Sequence, residues 1–293
     1  MPKQARIAIQ VAVREELNPI LNRLDVERIF HEVTWEQRRS LKHAHHDHLR
    51  FYLGMLNGVR VVLFRTGVGR LRAREIIRIF FEHFEPGFFI SAGFGGALTP
   101  DLKVGDIVLA TDICEVQSGR CDWQGIIPPL NNEVQYRQGR LITADEMIIY
   151  GRDKAKLGED HQAIVVDMET SAVAGLCRRR DVPMTSVRVI SDLVNEDLPP
   201  EINTFFDNGQ VRPALVAKAI VAHPPTLPRL FRLAKNVWRA GDNLADFLEK
   251  LVRVVPVQTK QANGNHQVGN CACQNGNTTP SPNGKPPTPL DRF

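Results

Sequence analysis

The sequence predicts an α/β protein with a three-layer α/β/α architecture around a mixed, largely parallel twisted sheet. Two observations support this fold class. Short apolar stretches of strand length alternate with longer amphipathic stretches through most of the chain, an order that favours parallel strands covered by helices on both faces. The chain has 293 residues, of which 43% are hydrophobic and 24% charged, which is enough to bury a sizeable core.

Each strand is predicted from an apolar run, and each helix from apolar residues at helical spacing. Asn57-Gly58 lies between two of the strands and indicates a tight hairpin. The predicted strands are Ile7–Val13, Leu49–Met55, Val59–Phe64, Phe88–Ala92, Ile107–Ala110, Ile164–Val166 and Thr185–Ile190. The predicted helices extend from the first strand to about Leu24, over Leu71–Phe84, up to Cys177, within 200–221 and over Leu227–Val255.

Three regions are predicted: a catalytic domain over 1–222, a helical extension over 223–256 and a disordered tail over 257–293. The extension has apolar residues at helical spacing and basic residues in its first half, which favours packing on the core or across a dimer. A basic amphipathic helix at a membrane surface is the alternative. The tail is rich in Asn, Gly, Pro, Thr and Gln and has too few large apolar residues to fold alone.

Composition excludes several classes of protein. The net charge of +4 is small, and no basic stretch is interleaved with aromatic residues, so we expect no nucleic-acid partner. No segment has the roughly 20 apolar residues of a membrane span, and the N-terminus does not resemble a secretion signal. Five scattered cysteines, an odd number without a CxxC pair, argue mildly against a disulfide framework. We therefore expect a cytoplasmic protein.

A histidine cluster, His43, His45, His46 and His48, raises the possibility of a metal site. It lies in a polar stretch before a predicted strand, so we interpret it as a solvated loop and predict no metal. No glycine motif has the spacing of a dinucleotide-binding or P-loop sequence, so no cofactor is predicted either.

Polar residues follow five of the predicted strands. In an open parallel sheet, the carboxyl ends of the strands form the ligand crevice. Taken singly, the glycine pairs are also explained by tight turns, and the acids by helix or turn caps. Together they predict one active site with three carboxylates, Glu16, Glu169 and Asp192. The five segments are Glu15-Glu16, Gly67-Val68-Gly69, Gly93–Gly96, Met168-Glu169 and Ser191-Asp192.

Several of these segments resemble a known family. Val166–Ala172 (VDMETSA) looks like the V-E-M-E-x-x-A segment of the nucleoside phosphorylase superfamily, and Arg188–Asp192 (RVISD) is similar to the R-A-I-S-D segment of its nucleosidase branch. Leu102–Val108 (LKVGDIV) and Ile7–Glu16 are similar to two strands of the same proteins. The resemblance covers about residues 5–220.

The resemblance implies hydrolysis of the bond between adenine and ribose in 5′-modified adenosines of the methylthioadenosine and S-adenosylhomocysteine type. Asp192, oriented by Ser191, would protonate the purine at N7, and burial would favour its protonated form. Glu16 would activate the water, with support from Arg188. Glu169 would bind the ribose hydroxyls and Met168 would pack on the sugar. The expected binding set is completed by Gly67, Phe94, Gly95 and Met147.

The nucleophile is predicted from two further positions. Phosphorylases of this superfamily have an arginine before the glycine turn and a G-D-P-x-R loop after the first strand, whereas this chain has Ser91 and Val13–Glu16 there. Both differences favour water over phosphate. Arg14, Arg65 and Arg70 could still form an anion site, so phosphorolysis remains an alternative.

Departures from the family affect the expected substrate. Phe94 replaces a small residue, Met147 replaces an aromatic residue that stacks on adenine, and the 112–141 region is short. These features, together with the helical extension, resemble the hopanoid-associated branch, so a phosphorylase-like enzyme acting on adenosylhopane-type nucleosides is an alternative. A non-catalytic nucleoside-binding protein is another. The family also implies a homodimer.

Overall fold

The computed structural model describes residues 3–30, 49–121, 123–131, 134–199, 202, 206–207, 210–211 and 227–256. They belong to one compact unit, Met1–Thr259. The histidine cluster and the predicted disordered tail lie outside the described residues. None of the helices in the described part could span a membrane.

Ten strands of the described chain form one sheet. They are β1 (Lys3–Val11), β2 (Asp25–Phe30), β3 (Phe51–Leu56), β4 (Val59–Arg65), β5 (Phe84–Ala97), β6 (Ile107–Glu115), β7 (Trp123–Gln124), β8 (Arg137–Thr143), β9 (Val165–Asp167) and β10 (Met184–Asp192). The helices are α1 (Arg14–Leu21), α2 (Arg70–His83), α3 (Gly151–His161), α4 (Thr170–Arg179) and α5 (Leu227–Leu251). A separate ladder pairs β11 (Phe206–Asp207) with β12 (Gln210–Val211).

The sheet is mixed, as predicted. Parallel pairs join β1 to β4 and β5, β5 to β10, and β8 to β6 and β9. The other five pairings in the described sheet are antiparallel, and their ladders are mostly shorter than the parallel ones. Strand β5 is 14 residues long and has three partners. Its first half pairs with β1 and its end pairs with β9, whereas β10 pairs along the opposite edge of β5. Strands β5, β10, β6, β8 and β9 therefore close a ring.

The two larger of three apolar clusters in the described residues pack helices against this sheet. One includes α2 and α4, where the Phe80 ring stacks on Phe64 and Phe84 at centroid distances of 4.6 and 5.1 Å. The other joins α1 and α5, with Leu17, Leu244 and other apolar side chains buried. Helix α5 packs directly on α1 and β10. It therefore reaches the carboxyl end of β10, where the candidate site lies.

Several predicted elements are confirmed and several need correction. The hairpin between β3 and β4 turns at Asn57 and Gly58, both with positive φ. The glycine segment Gly93–Gly96 is not a turn, because β5 continues through it. In the stretch 200–221, the described residues include the short strands β11 and β12, and most of the region in which a helix is predicted lies outside the described residues. Cys114 and Cys121 form a disulfide, contrary to the expectation from the odd cysteine count. Elements β2, β7, β8 and α3 have no counterpart among the predictions.

Candidate active site

A cavity of about 690 Å³ lies at the carboxyl ends of β1, β5 and β10. The structure brings together all three predicted carboxylates, Glu16, Glu169 and Asp192, in its wall. They come from α1, from the start of α4 and from the end of β10, and they meet although β9, the strand before Glu169, is antiparallel to β5. The cavity is also lined by the predicted residues Phe94, Gly95, Met147, Met168 and Ser191.

Glu16 is held by three backbone N–H groups. Its Oε2 accepts from Ala12 at 2.6 Å and Val13 at 3.0 Å, and its Oε1 accepts from Phe94 at 2.7 Å. Burial raises the pKa of Glu16, whereas these backbone hydrogen bonds and the charge of Arg188 oppose the rise. The carboxylate is therefore fixed in one orientation beside β5, with a raised proton affinity that suits a general base.

The glycines of β5 leave room for two of the carboxylates. A Cβ at Gly93 would lie 2.7 Å from Glu16 Oε1, and one at Gly96 would lie 3.1 Å from Asp192 Oδ2. A Cβ at Gly95 would lie 2.6 Å from a methyl of Val165. The glycine run is thus required for close approach of side chains to an extended strand, and not for a tight turn.

Glu169 is held by the glycine segment after β4. The backbone N–H of Gly69, a residue with φ of 98°, donates to Glu169 Oε1 at 2.7 Å. Gly67 also has positive φ, and its neighbour Val68 lines the cavity, so Gly67 shapes the turn that supports Glu169. Burial and then the Asp167 carboxylate raise the pKa of Glu169 to about 8.

This raised pKa predicts a pH-dependent stability that Glu169→Gln removes. The folded state favours the protonated carboxyl, so its stabilising contribution is complete below about pH 4.5 and declines as pH rises to about 8. Glutamine imitates the neutral carboxyl. We expect E169Q to match the wild type in unfolding free energy near pH 4.5 and to exceed it near pH 8, as measured by urea denaturation. A pH-independent difference would contradict the assignment.

Asp192 has two polar partners. Ser191 Oγ donates to Asp192 Oδ1 at 2.7 Å, which agrees with the expected orienting role. Lys154 Nζ lies 2.5 Å from Asp192 Oδ2 and forms a buried ion pair. Lys154 is not predicted from the sequence, because it is 38 residues away on α3 and belongs to none of the recognised motifs.

Arg188 lies beneath the cavity rather than in its wall. Its side chain is 2% exposed. It donates to Asp167 Oδ2 from Nε and Nη2, to the Ser91 backbone oxygen and hydroxyl, and to Val187 O and Thr170 Oγ1. These acceptors occupy all five guanidinium N–H groups. Arg188 therefore supports the site through Asp167 and through its charge near Glu16 and Glu169, and direct substrate contact is not what the structure shows.

The arginines of the alternative anion site do not line this cavity. Arg70 is paired with Asp145, at 2.6 Å from Nε to Oδ1, and with Glu115. Among the described lining residues, Lys154 is the one Lys or Arg. The acidic lining residues are Glu15, Glu16, Glu146, Asp167, Glu169, Asp192 and Asp242. The cavity is therefore acidic, although much of its wall is apolar.

Comparisons with known proteins agree with this geometry. The chain is 27% identical over 199 residues, 60% of its length and 87% of the relative, to the 5′-methylthioadenosine/S-adenosylhomocysteine nucleosidase of Staphylococcus aureus. Its fold matches the corresponding Helicobacter pylori nucleosidase in complex with an inhibitor, with a TM-score of 0.59 and 17% identity over 86% of this chain and 98% of that one. Futalosine hydrolase of the same bacterium matches equally, at 0.59 and 17%, over 86% and 97%.

The family profile described as the phosphorylase superfamily matches residues 6–130 and 128–222. These segments contain the three carboxylates, the glycines of β5 and both partners of Asp192. The chain therefore belongs to the phosphorylase superfamily.

Proposed function

We propose that this protein hydrolyses the N-ribosidic bond of adenine nucleosides that carry a 5′ substituent, of the 5′-methylthioadenosine and S-adenosylhomocysteine type, and releases adenine. The observation that carries the proposal is the convergence of Glu16, Glu169 and Asp192 on one cavity, each with a defined hydrogen-bond partner. The relatives that match the chain support the same reaction.

The three carboxylates fit the charges that this reaction develops. Breaking the bond leaves positive charge on the sugar and negative charge on the purine, so the leaving group needs a proton and the sugar needs nearby negative charge. Asp192 donates the proton to N7, with Ser191 fixing its other oxygen. Glu16 accepts a proton from the attacking water, and Glu169 binds the ribose hydroxyls.

Water is a better nucleophile than phosphate for this cavity. A phosphate dianion needs cations or several free N–H donors at its binding site. Among the described lining residues, Lys154 is the one Lys or Arg, and its ammonium group is already paired with Asp192. The other charged residues of the lining are acidic. Ser91, which stands where the phosphorylases have an arginine, is buried and hydrogen-bonded to Gln10 and Arg188.

Adenine release tests the proposal. We expect the protein to release adenine from 5′-methylthioadenosine and S-adenosylhomocysteine at a rate that is the same with and without phosphate, measured by chromatography of the base and the sugar product. A sugar 1-phosphate that appears only when phosphate is present would show a phosphorylase. Binding of these nucleosides without any adenine release would instead show a non-catalytic binding protein.

A bulkier 5′ group is a second candidate for the substrate, and one observation favours it. Helix α5 contributes Val237 and Trp238 to the lining of the cavity, which also includes Met147 and Ile148, and Trp238 is 74% exposed. These apolar lining residues suit a long hydrocarbon substituent, as in the adenosylhopane-type alternative. Higher kcat/KM for 5′-alkyl adenosines as the alkyl chain lengthens would support it.

We also propose the three-layer architecture, with α5 as a helical extension that serves the catalytic domain. Its contacts with α1 and β10 and its place in the cavity wall support this division of the chain. The homodimer and the cytoplasmic location stay predictions. Size-exclusion chromatography with light scattering measures the first, and localisation of a tagged protein measures the second.

A further inference from the structure

Lys154 is a buried cation that has no role in the proposed reaction as described above. Its side chain is 1% exposed, although it reaches the cavity wall. Nζ contacts Asp192 Oδ2 at 2.5 Å and donates to the backbone oxygens of Leu193 at 3.0 Å and Glu196 at 2.9 Å. An ammonium group has three N–H donors, and these acceptors occupy all of them. The side chain is therefore held in one position, beside the proposed general acid.

The ion pair between Lys154 and Asp192 affects which group supplies the proton that the purine receives. Asp192 paired with an ammonium group is a carboxylate, and a carboxylate has no proton to donate. Burying an ammonium group is unfavourable unless it is paired and hydrogen-bonded, and Asp192 and the two backbone oxygens provide this compensation. The ammonium itself carries a proton within reach of Asp192 Oδ2, and both residues line the cavity.

We infer that Lys154 stores the proton that the leaving purine receives and that it acts through Asp192, as a positioning residue for that carboxyl group. This inference rests on the proposed function. Nζ–H breaks as Oδ2–H forms, and Asp192 then passes a proton to N7 while the C1′–N9 bond breaks and its electron pair goes to the base. Water bonds to C1′ and loses a proton to Glu16. After product release that proton returns through solvent to the neutral amine of Lys154, which restores the starting state.

The Lys154→Arg variant tests whether Lys154 supplies a proton or only a positive charge. Arginine keeps the positive charge but does not give up a proton in proteins. We expect K154R to lower kcat for 5′-methylthioadenosine by about 10²-fold, within the range for loss of general acid catalysis, with little change in KM. A 4-nitrophenyl riboside with the same 5′ group has a leaving group that needs no proton, so K154R should cleave it at nearly the wild-type rate.

Two further variants complete the test. Lys154→Met should show the same selective loss, and it should cause no additional loss in a D192N background, because Lys154 acts only through Asp192. Lys156→Met is the matched control, since Lys156 is an exposed lysine of the same helix and should behave as the wild type. Circular dichroism and thermal denaturation establish that each variant folds.

The outcomes are distinguishable. Wild-type activity in K154R would overturn proton storage, and an equal loss with both substrates would show a general structural role and overturn it as well. If K154M does not fold, K154R by itself tests proton storage by Lys154, because arginine keeps the positive charge that pairs with Asp192. Failure of the wild-type protein to cleave either substrate would contradict the proposed function itself, whereas an active wild type with an active K154R contradicts only the inference about Lys154.

Discussion

Asp192→Asn lowers kcat for adenine release by about 10²–10⁴-fold, the range expected for loss of a general acid, while nucleoside binding persists. Asparagine has nearly the shape of aspartate and can still accept a hydrogen bond from Ser191. It has no proton to transfer to N7, so the purine would leave as an anion. Single-turnover kinetics with 5′-methylthioadenosine measure the chemical step, and isothermal titration with a non-hydrolysable analogue measures binding.

This variant needs a control for stability, because it leaves the Lys154 ammonium buried without its carboxylate partner. Removing one partner of a buried ion pair costs about 3–5 kcal/mol, so the melting temperature of D192N is expected to fall. Bound analogue at saturating concentration should restore much of it. Near-normal adenine release by folded D192N would exclude Asp192 as the acid.

Gly93→Ala is expected to lower kcat/KM by about 10²-fold, because a small misplacement of a catalytic group has effects of this size, and also to lower the unfolding free energy, because a displaced Glu16 loses backbone hydrogen bonds. The new Cβ would lie 2.7 Å from Glu16 Oε1. The atom that must move belongs to the Glu16 side chain and not to the backbone, so the strand can keep its course while the carboxylate is displaced. Activity and the unfolding free energy in urea, measured together, test both halves of this expectation.

Gly175→Ala provides the matched control for this substitution. Gly175 lies in α4, and its Cβ would meet the Trp123 ring at an ordinary contact distance of 3.7 Å. We expect G175A to retain wild-type activity. Full activity in G93A would show that Glu16 does not have to occupy the position seen beside β5, and the assignment of Glu16 as the general base would then be wrong.

The fold follows from the sequence wherever local patterns agree with burial. The strand run at Ile7–Val13, the Asn57-Gly58 hairpin and the α2 periodicity each have a local signal, and each element forms. Strand β8 is not predicted from the sequence, because its first half, Arg137–Arg140, is polar and exposed or half-buried. Its place is set by pairing with β6 and β9, which are distant in the chain. Closure of the ring of strands likewise has no local signal.

The sequence by itself determined that Glu16 and Asp192 meet, because they lie at the carboxyl ends of β1 and β10, which both run parallel to β5. Only the tertiary structure decided that Glu169 joins them, since β9, the strand that precedes it, is antiparallel to β5, and which side chains are their neighbours. Lys154 reaches Asp192 across 38 residues, Asp167 holds Arg188 beneath the cavity, and α5 supplies part of its wall. Electrostatic coupling depends on distance and burial in space, and neither can be read from spacing along the chain.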